Sequence, residues 1–252
     1  MKIYGLIGFP LVQSFSKQYF TDKFCREAIT DCLFELYPIE SISQFPGLIE
    51  SHPKIKGLAV TIPYKKAVMP FLTRIHETAR LTGAVNCITI HDDILIGYNT
   101  DCIGFEQSLL PLLQPHYTGA LVLGTGGAAA AVIYVLDKLG IKYLRISRTP
   151  DAEQNVLGYD NIDADLLYAY PLVVNCTPLG MVPDENSFPR LPYEYLNSRN
   201  LVYDLVYKPE KTILLQRAEA NGAAIKNGME MLLIQAEENW RIWRMDQFNT
   251  DL

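Results

Sequence analysis

The chain has 252 residues, 49% of them hydrophobic and 20% charged, with a formal net charge of −6. That length and composition allow a buried core in one large domain or two small ones. The acidic balance argues against a protein that grips a nucleic-acid backbone, although a few local cations could still serve a small anionic substrate.

Residues 2–8 form a short apolar run closed by Phe9-Pro10, which predicts a strand and a turn. Residues 16–29 place Phe20, Phe24 and Ala28 at helical spacing, with Ser16 as the expected N-cap. Strands are expected over 33–37 and 57–61, and Pro63 is placed to open a helix before residue 82. Residues 84–90 and 94–97, separated by His91-Asp92-Asp93, suggest a hairpin. Such alternation predicts an α/β layer with helices covering a mixed sheet.

A second unit is expected to begin with a helix near Asp101. It continues with strands at 120–123, 142–147, 172–175 and 201–206, and helices at 126–138 and 213–220. The pattern is doubly wound but shorter than a full dinucleotide fold. Residues 229–244 read as a helix with no strand to pair with, expected to return to the first domain. The expectation is therefore a two-domain α/β protein. Residues 1–100 plus 229–252 would form a mixed-sheet domain, and residues 101–228 a Rossmann-like one.

Cys25, Cys32, Cys87, Cys102 and Cys176 are scattered without a CxxC pair, so they read as reduced thiols. No metal is expected, and the cytoplasm is the expected compartment. Gly5, Gly8 and Pro10 interrupt the apolar N-terminus before a signal-peptide core can form. Residues 119–136 carry no charge, near the length of a membrane span. Gly124, Gly126 and Gly127 break that stretch into strand, turn and helix, so no membrane partner is expected.

Gly124-Thr125-Gly126-Gly127-Ala128-Ala129 follows a predicted strand and opens a predicted helix. Gly124 allows a tight turn, Gly126 lets the backbone approach a pyrophosphate, and the small Ala129 lets helix and strand pack closely. After the next strand, Ser147-Arg148-Thr149 sets a guanidinium between two hydroxyls where an NAD site commonly carries an acid. Paired charge-assisted hydrogen bonds to a 2′-phosphate favour NADP there. Ser14, Ser16, Thr61, Lys65, Asn86 and Asp101 offer polar groups beside predicted strands and turns. Each taken singly reads more readily as a helix cap or an exposed side chain, the usual fates of these residue types.

Taken together, these segments resemble the shikimate dehydrogenase family. The resemblance is carried by Gly8-Phe9-Pro10 through Ser14-Phe15-Ser16, Val60-Thr61-Ile62-Pro63-Tyr64-Lys65, Gly83-Ala84-Val85-Asn86 and Gly97-Tyr98-Asn99-Thr100-Asp101. It continues through the glycine turn, Ser147-Arg148-Thr149, Asn175-Cys176-Thr177-Pro178-Leu179-Gly180-Met181, Tyr203-Asp204-Leu205-Val206-Tyr207 and Gly228-Met229-Glu230-Met231-Leu232 with Gln235. It implies a substrate domain built from both termini, a central NADP domain, and an active site in a cleft between them. It implies that Ser14, Ser16, Thr61, Lys65, Asn86, Asp101, Tyr207 and Gln235 hold shikimate or 3-dehydroshikimate. Lys65 and Asp101 would be the catalytic pair, with Lys65 protonating the incipient alkoxide. Gly124, Gly126, Gly127, Ala128, Ser147, Arg148, Thr149, Asn175, Thr177, Leu205 and Gly228 would hold NADP. A homodimer is left open.

Three departures from the family pattern stand out. Ala59 stands where an Asn usually contacts the substrate, Gln13 and Lys17 flank the retained serines, and Ala152, beside Asp151, stands where a second basic residue often follows Arg-Thr. Two further functions are therefore carried forward. One is a quinate/shikimate dehydrogenase using NAD or either cofactor, and the other a non-catalytic NADP-binding sensor of the same fold.

Overall fold

The computed structural model describes residues 1–11, 14–153 and 155–245. It divides into two compact units, Met1–Thr100 with Gln235 onward, and Asp101–Ile234. The first unit holds β1 (Lys2–Gly8), α1 (Phe15–Arg26), β2 (Cys32–Pro38), α2 (Phe45–Ser51), β3 (Ile55–Val60), β4 (Arg74–Ile75), α3 (Glu77–Thr82), β5 (Cys87–His91) and β6 (Ile94–Tyr98). The second holds α4 (Asp101–Leu109), β7 (Gly119–Leu123), α5 (Gly127–Lys138), β8 (Lys142–Ile146), β9 (Val156–Leu157), α6 (Ala164–Ala169), β10 (Leu172–Asn175), β11 (Leu201–Asp204), α7 (Ile213–Ala220) and β12 (Ala224–Lys226). The division falls inside the last helix, α8 (Met229–Trp243). Residues 246–252 and Gln13 lie outside the described residues.

The sheet of the first unit runs β2-β1-β3-β5-β6-β4. β1 is parallel to β2 and β3, whereas β5 is antiparallel to both β3 and β6. Strand alternation sorts the core into two layers. Tyr4, Leu6 and Ala59 pack with Phe20, Phe24, Trp240 and Trp243, while Ile7, Leu58 and Val60 pack with Ile39, Phe45 and Val68. Gly57 permits the closest approach on the first side, since a Cβ there would lie 2.3 Å from the Trp243 ring. Trp243 stacks on Tyr4 and donates its indole N–H to Ile88 O at 3.0 Å. This fixes the C-terminal part of α8 against the sheet.

Two local expectations are corrected here. Ser14, not Ser16, caps α1, accepting the Lys17 N–H at 3.3 Å; Ser16 lies within the first turn. The helix also stops before Ala28, which adopts φ 54°. There Ala28 N–H bonds Cys25 O and Ile29 N–H bonds Phe24 O, a Schellman closure with alanine at the left-handed position. Second, Pro63 opens no α-helix; the helix before residue 82, α3, starts only at Glu77. The Lys65 carbonyl, which a helix would spend on residue 69, accepts the Val85 N–H at 2.7 Å, and Met69 N–H turns to Lys66 O. The segment forms linked turns, with Tyr64 Oη tied to Ile39 O at 2.6 Å.

In the second unit every strand pair is parallel, in the order β12-β11-β10-β7-β8-β9. Numbered within the unit this is the six-strand dinucleotide-fold order, with the switch point between β7 and β10. The expectation of a shortened fold is corrected by β9 and β12, edge strands of two and three residues. The central strands are buried on both faces, as parallel sheets require. Ala120 and Val122 pack with Phe105, Leu109 and Val132, and Leu121 and Leu123 pack with Leu167, Leu214 and Leu215. Among the described residues no helix is long and apolar enough to cross a membrane.

Candidate active site

In the first unit, strand polarity gathers the candidate residues on one sheet edge. β1 and β3 end there, antiparallel β5 begins there, and β6 ends there. Thr61 follows β3 and is held by its N–H to Ile7 O at 3.0 Å. Gly8 makes this approach possible, because a Cβ on it would sit 2.4 Å from Thr61 Cγ2. Lys65 is half-buried and anchored through its carbonyl to Val85, one residue before Asn86. Val60 N–H bonds Asn86 O at 2.8 Å, so the ladder brings Thr61, Lys65 and Asn86 onto neighbouring backbone.

The Asn86 side chain is buried, with Oδ1 accepting Thr100 N–H at 2.7 Å and Nδ2 donating to Thr100 Oγ1 at 2.9 Å. Ser14 and Ser16 are half-buried in the cap and first turn of α1, and Ser14 Oγ spends its acceptor on Lys17 N–H. Gln235, half-buried on α8, accepts from Asn239 Nδ2 at 3.2 Å. Ala59 lies on the same strand face as Thr61, 6% exposed among Cys87, Tyr98, Ala236 and Trp240. Its place is therefore filled by packing rather than left as an open slot.

In the second unit the C-terminal ends of β7, β8, β10 and β11 share an edge. Gly124 adopts φ 107°, a left-handed conformation suited to glycine, and a Cβ there would also press Thr177 Cγ2 at 3.2 Å. At Gly126 a Cβ would meet nothing within 4 Å, so that side of the turn is open. Gly126 caps α5 without a side-chain hydrogen bond, leaving the first-turn N–H groups of Gly127, Ala128 and Ala129 without a side-chain cap. Ala129 itself is buried against the core. Ser147 Oγ accepts the Thr149 N–H at 3.2 Å, turning the chain after β8 and leaving Arg148 exposed. These features fit a dinucleotide: open N–H groups at a helix terminus for phosphates, and a guanidinium at the end of the next strand.

Asn175 is fully buried and holds this edge together. Its Nδ2 donates to Asp204 Oδ1 at 2.9 Å, and its Oδ1 accepts from the Thr177 hydroxyl at 2.6 Å. Asp204 also accepts from Val206 N–H at 3.0 Å and Thr212 Oγ1 at 2.6 Å. Burial nevertheless pushes its carboxyl up to about 6, against those three donors. Gly228 meets the backbone of Leu205 directly, for a Cβ on it would lie 2.0 Å from Leu205 O. Tyr207 is half-buried, and desolvation raises its phenol above the ordinary value. Asp101 opens α4 and is buried. A carboxylate there complements the positive end of the helix dipole.

Reading the sequence alone missed three supporting side chains: Asn239, Asp204 and Thr212. Asn239 carried one legible signal, a polar residue on a helix face otherwise lined by Ala236, Trp240 and Trp243. Thr212 is a regular N-cap, its Oγ1 accepting Leu215 N–H at 3.4 Å.

Residues 6–88 match the family model described as the shikimate dehydrogenase substrate binding domain. The NADP(+) shikimate dehydrogenase of Desulforamulus reducens is 32% identical over 96% of this chain and 89% of its own length. That of Aquifex aeolicus is 34% identical over 96% and 91%. The chain belongs to the shikimate dehydrogenase family. Among solved structures of this family, the Aquifex aeolicus shikimate dehydrogenase superposes with a TM-score of 0.85 at 32% identity, covering 97% of this chain and 92% of that one. The Thermus thermophilus shikimate 5-dehydrogenase, solved with NADP(H) and shikimate, gives 0.84 at 28% identity, covering 97% and 94%. The family fold thus accounts for both sheets, the mixed one and the parallel one.

Proposed function

We propose that the chain is an NADP-dependent shikimate dehydrogenase, catalysing reversible hydride transfer between NADPH and the 3-keto group of 3-dehydroshikimate to give shikimate. The observation that carries the reading is the sheet edge of the first unit. There Thr61, Lys65 and Asn86, just beyond the ends of adjoining strands, are fixed by backbone hydrogen bonds, in a chain of this family. NADP is supported by Arg148, exposed after β8, and by the uncapped N-terminus of α5.

The cofactor, when bound, supplies or accepts the hydride. Ser14, Ser16, Thr61, Asn86, Tyr207 and Gln235 bind the substrate's carboxylate and hydroxyls and set its angle. Lys65 donates a proton to the carbonyl oxygen as it takes on alkoxide charge, and takes it back in the oxidation direction. Its ammonium also stabilises that charge electrostatically. Asp101 orients the ammonium and accepts from a ring hydroxyl. Gly124, Gly126, Gly127 and Ala128 offer main-chain groups to phosphate. Ser147, Arg148 and Thr149 take the 2′-phosphate, and Leu205 and Gly228 line the nicotinamide, with Asn175 and Thr177 shaping the edge between. The same division assigns residues 1–100 plus 229–252 to substrate binding and 101–228 to the cofactor. Five free cysteines support a reducing, cytoplasmic setting.

The test is turnover of purified protein with shikimate or quinate and with NADP or NAD, followed by cofactor absorbance. Shikimate with NADP is expected to give the highest kcat/KM. Faster turnover of quinate with NAD would favour the dual-substrate enzyme, and cofactor binding without turnover would favour a sensor.

A further inference from the structure

Three buried side chains of the first unit, Asn86, Thr100 and Asn239, and the half-buried Gln235 form one continuous hydrogen-bonded chain, and a single backbone group sets its sense. The Thr100 N–H can only donate, and it donates to Asn86 Oδ1 at 2.7 Å. Asn86 must then turn Nδ2 to the Thr100 hydroxyl, 2.9 Å away, and an amide nitrogen can only donate. The Thr100 hydroxyl, accepting there, sends its one proton on to Asn239 Oδ1 at 2.6 Å, a length typical of O–H···O rather than N–H···O. The same hydroxyl lies 3.2 Å from Asn86 Oδ1, the longer and weaker alternative. With Oδ1 thus engaged, Asn239 turns Nδ2 to Gln235 and donates to its Oε1 at 3.2 Å. Asn86, Thr100 and Asn239 are each no more than 2% exposed, so water does not easily replace a mismatched partner.

We infer that Thr100 and Asn239 are positioning residues that fix the polarity of the Gln235 amide, holding Oε1 inward and leaving Nε2 as the group turned away from Asn239. Flipping Gln235 would set two N–H groups against each other at Asn239. Gln235 is thereby specified as a hydrogen-bond donor to its ligand, which suits a ring hydroxyl oxygen or a carboxylate and disfavours a group that can only donate. Helical spacing makes the link possible, because Asn239 lies one turn after Gln235. The inference rests on the proposed reading of Gln235 as a substrate ligand.

Steady-state kinetics with shikimate and NADP test it through a double-mutant cycle. Asn239→Leu keeps the branched side-chain shape, though with more bulk, and removes both relay bonds, while the Thr100 hydroxyl can fall back on Asn86. It is expected to raise KM for shikimate roughly 5- to 20-fold, with KM for NADP changed less than about twofold. Thr100→Val should act in the same direction, and Thr100→Ser, which restores a hydroxyl, should recover most of the loss. In a Gln235→Leu background, which itself raises KM, Asn239→Leu should add nothing further. Should Asn239→Leu exert its full effect in that background, the relay is overturned and Asn239 is merely structural. Should Gln235→Leu alone leave KM for shikimate unchanged, the assignment of Gln235 as substrate ligand fails, and the inference with it. If Thr100→Val does not fold, the Asn239 and Gln235 pair decides alone.

Discussion

Gly228→Ala should damage the cofactor unit and cofactor binding together. A Cβ at this position would lie 2.0 Å from Leu205 O, 2.6 Å from Leu205 C and 3.1 Å from Leu205 Cα. All three are main-chain atoms, so no side chain can swing aside. The two backbones would have to separate by about 1 Å, since cores are close-packed and such contacts do not compress. That displacement stretches the Gly228 N–H to Val206 O bond, now 3.1 Å, beyond hydrogen-bonding length. Overpacking costs about 1–3 kcal/mol and the lost bond about 1 kcal/mol more. Together they predict a fall in melting temperature of roughly 5–15 °C. Leu205 and Gly228 are proposed to line the nicotinamide, so KM for NADP should rise while KM for shikimate moves much less. Circular dichroism melts with and without NADP, followed by kinetics on the soluble variant, measure both effects. An alanine variant that melts like the parent and keeps its KM for NADP would refute the close approach and the role drawn from it.

Arg148→Ala should weaken NADPH roughly 10- to 150-fold while leaving NADH nearly unchanged, and titrating both cofactors checks it; equal losses would defeat the reading. Asp204→Asn should be neutral or stabilising at neutral pH. A carboxyl raised to about 6 in the fold from 3.8 loses stability as pH rises from about 4 through 6, by roughly 3 kcal/mol in all. The amide keeps the acceptor for Asn175 and Val206 and needs only a turned Thr212 hydroxyl, so denaturant melts of the two proteins should diverge across that window and run parallel above it. Ala59→Asn should restore a substrate contact and raise kcat/KM for shikimate roughly tenfold, at a stability cost of about 1–3 kcal/mol because the site is already packed. No gain in kcat/KM would mean that the pocket has been rebuilt around alanine.

The long apolar strands and the strongly periodic helices were legible in the sequence for a simple reason: their burial is local in the pattern. β10 and α7 fall where they were expected, since a fully buried parallel strand reads as an unbroken apolar run. β9 and β12 were illegible because two or three residues carry no period. The helix expected after Pro63 failed for a tertiary reason, the capture of the Lys65 carbonyl by Val85, twenty residues away. Ser16 looked like a cap because its spacing fits one, yet the cap falls at Ser14, one position before Phe15 starts the helix. At the site, turn residues such as Gly124 and Gly126 announced themselves through backbone chemistry. Asn239 showed only as a polar residue on an apolar helix face, and its role was not legible because it depends on Thr100, far away in the chain.

The account turns on Lys65 as the proton donor, and Lys65→Met tests that most directly. The substitution keeps much of the side-chain volume and removes the acid. With shikimate and NADP, kcat should fall ~10²–10⁴-fold while the dissociation constant for NADP stays within about twofold. A Lys65→Met enzyme retaining more than about half of the parent kcat would contradict the assignment.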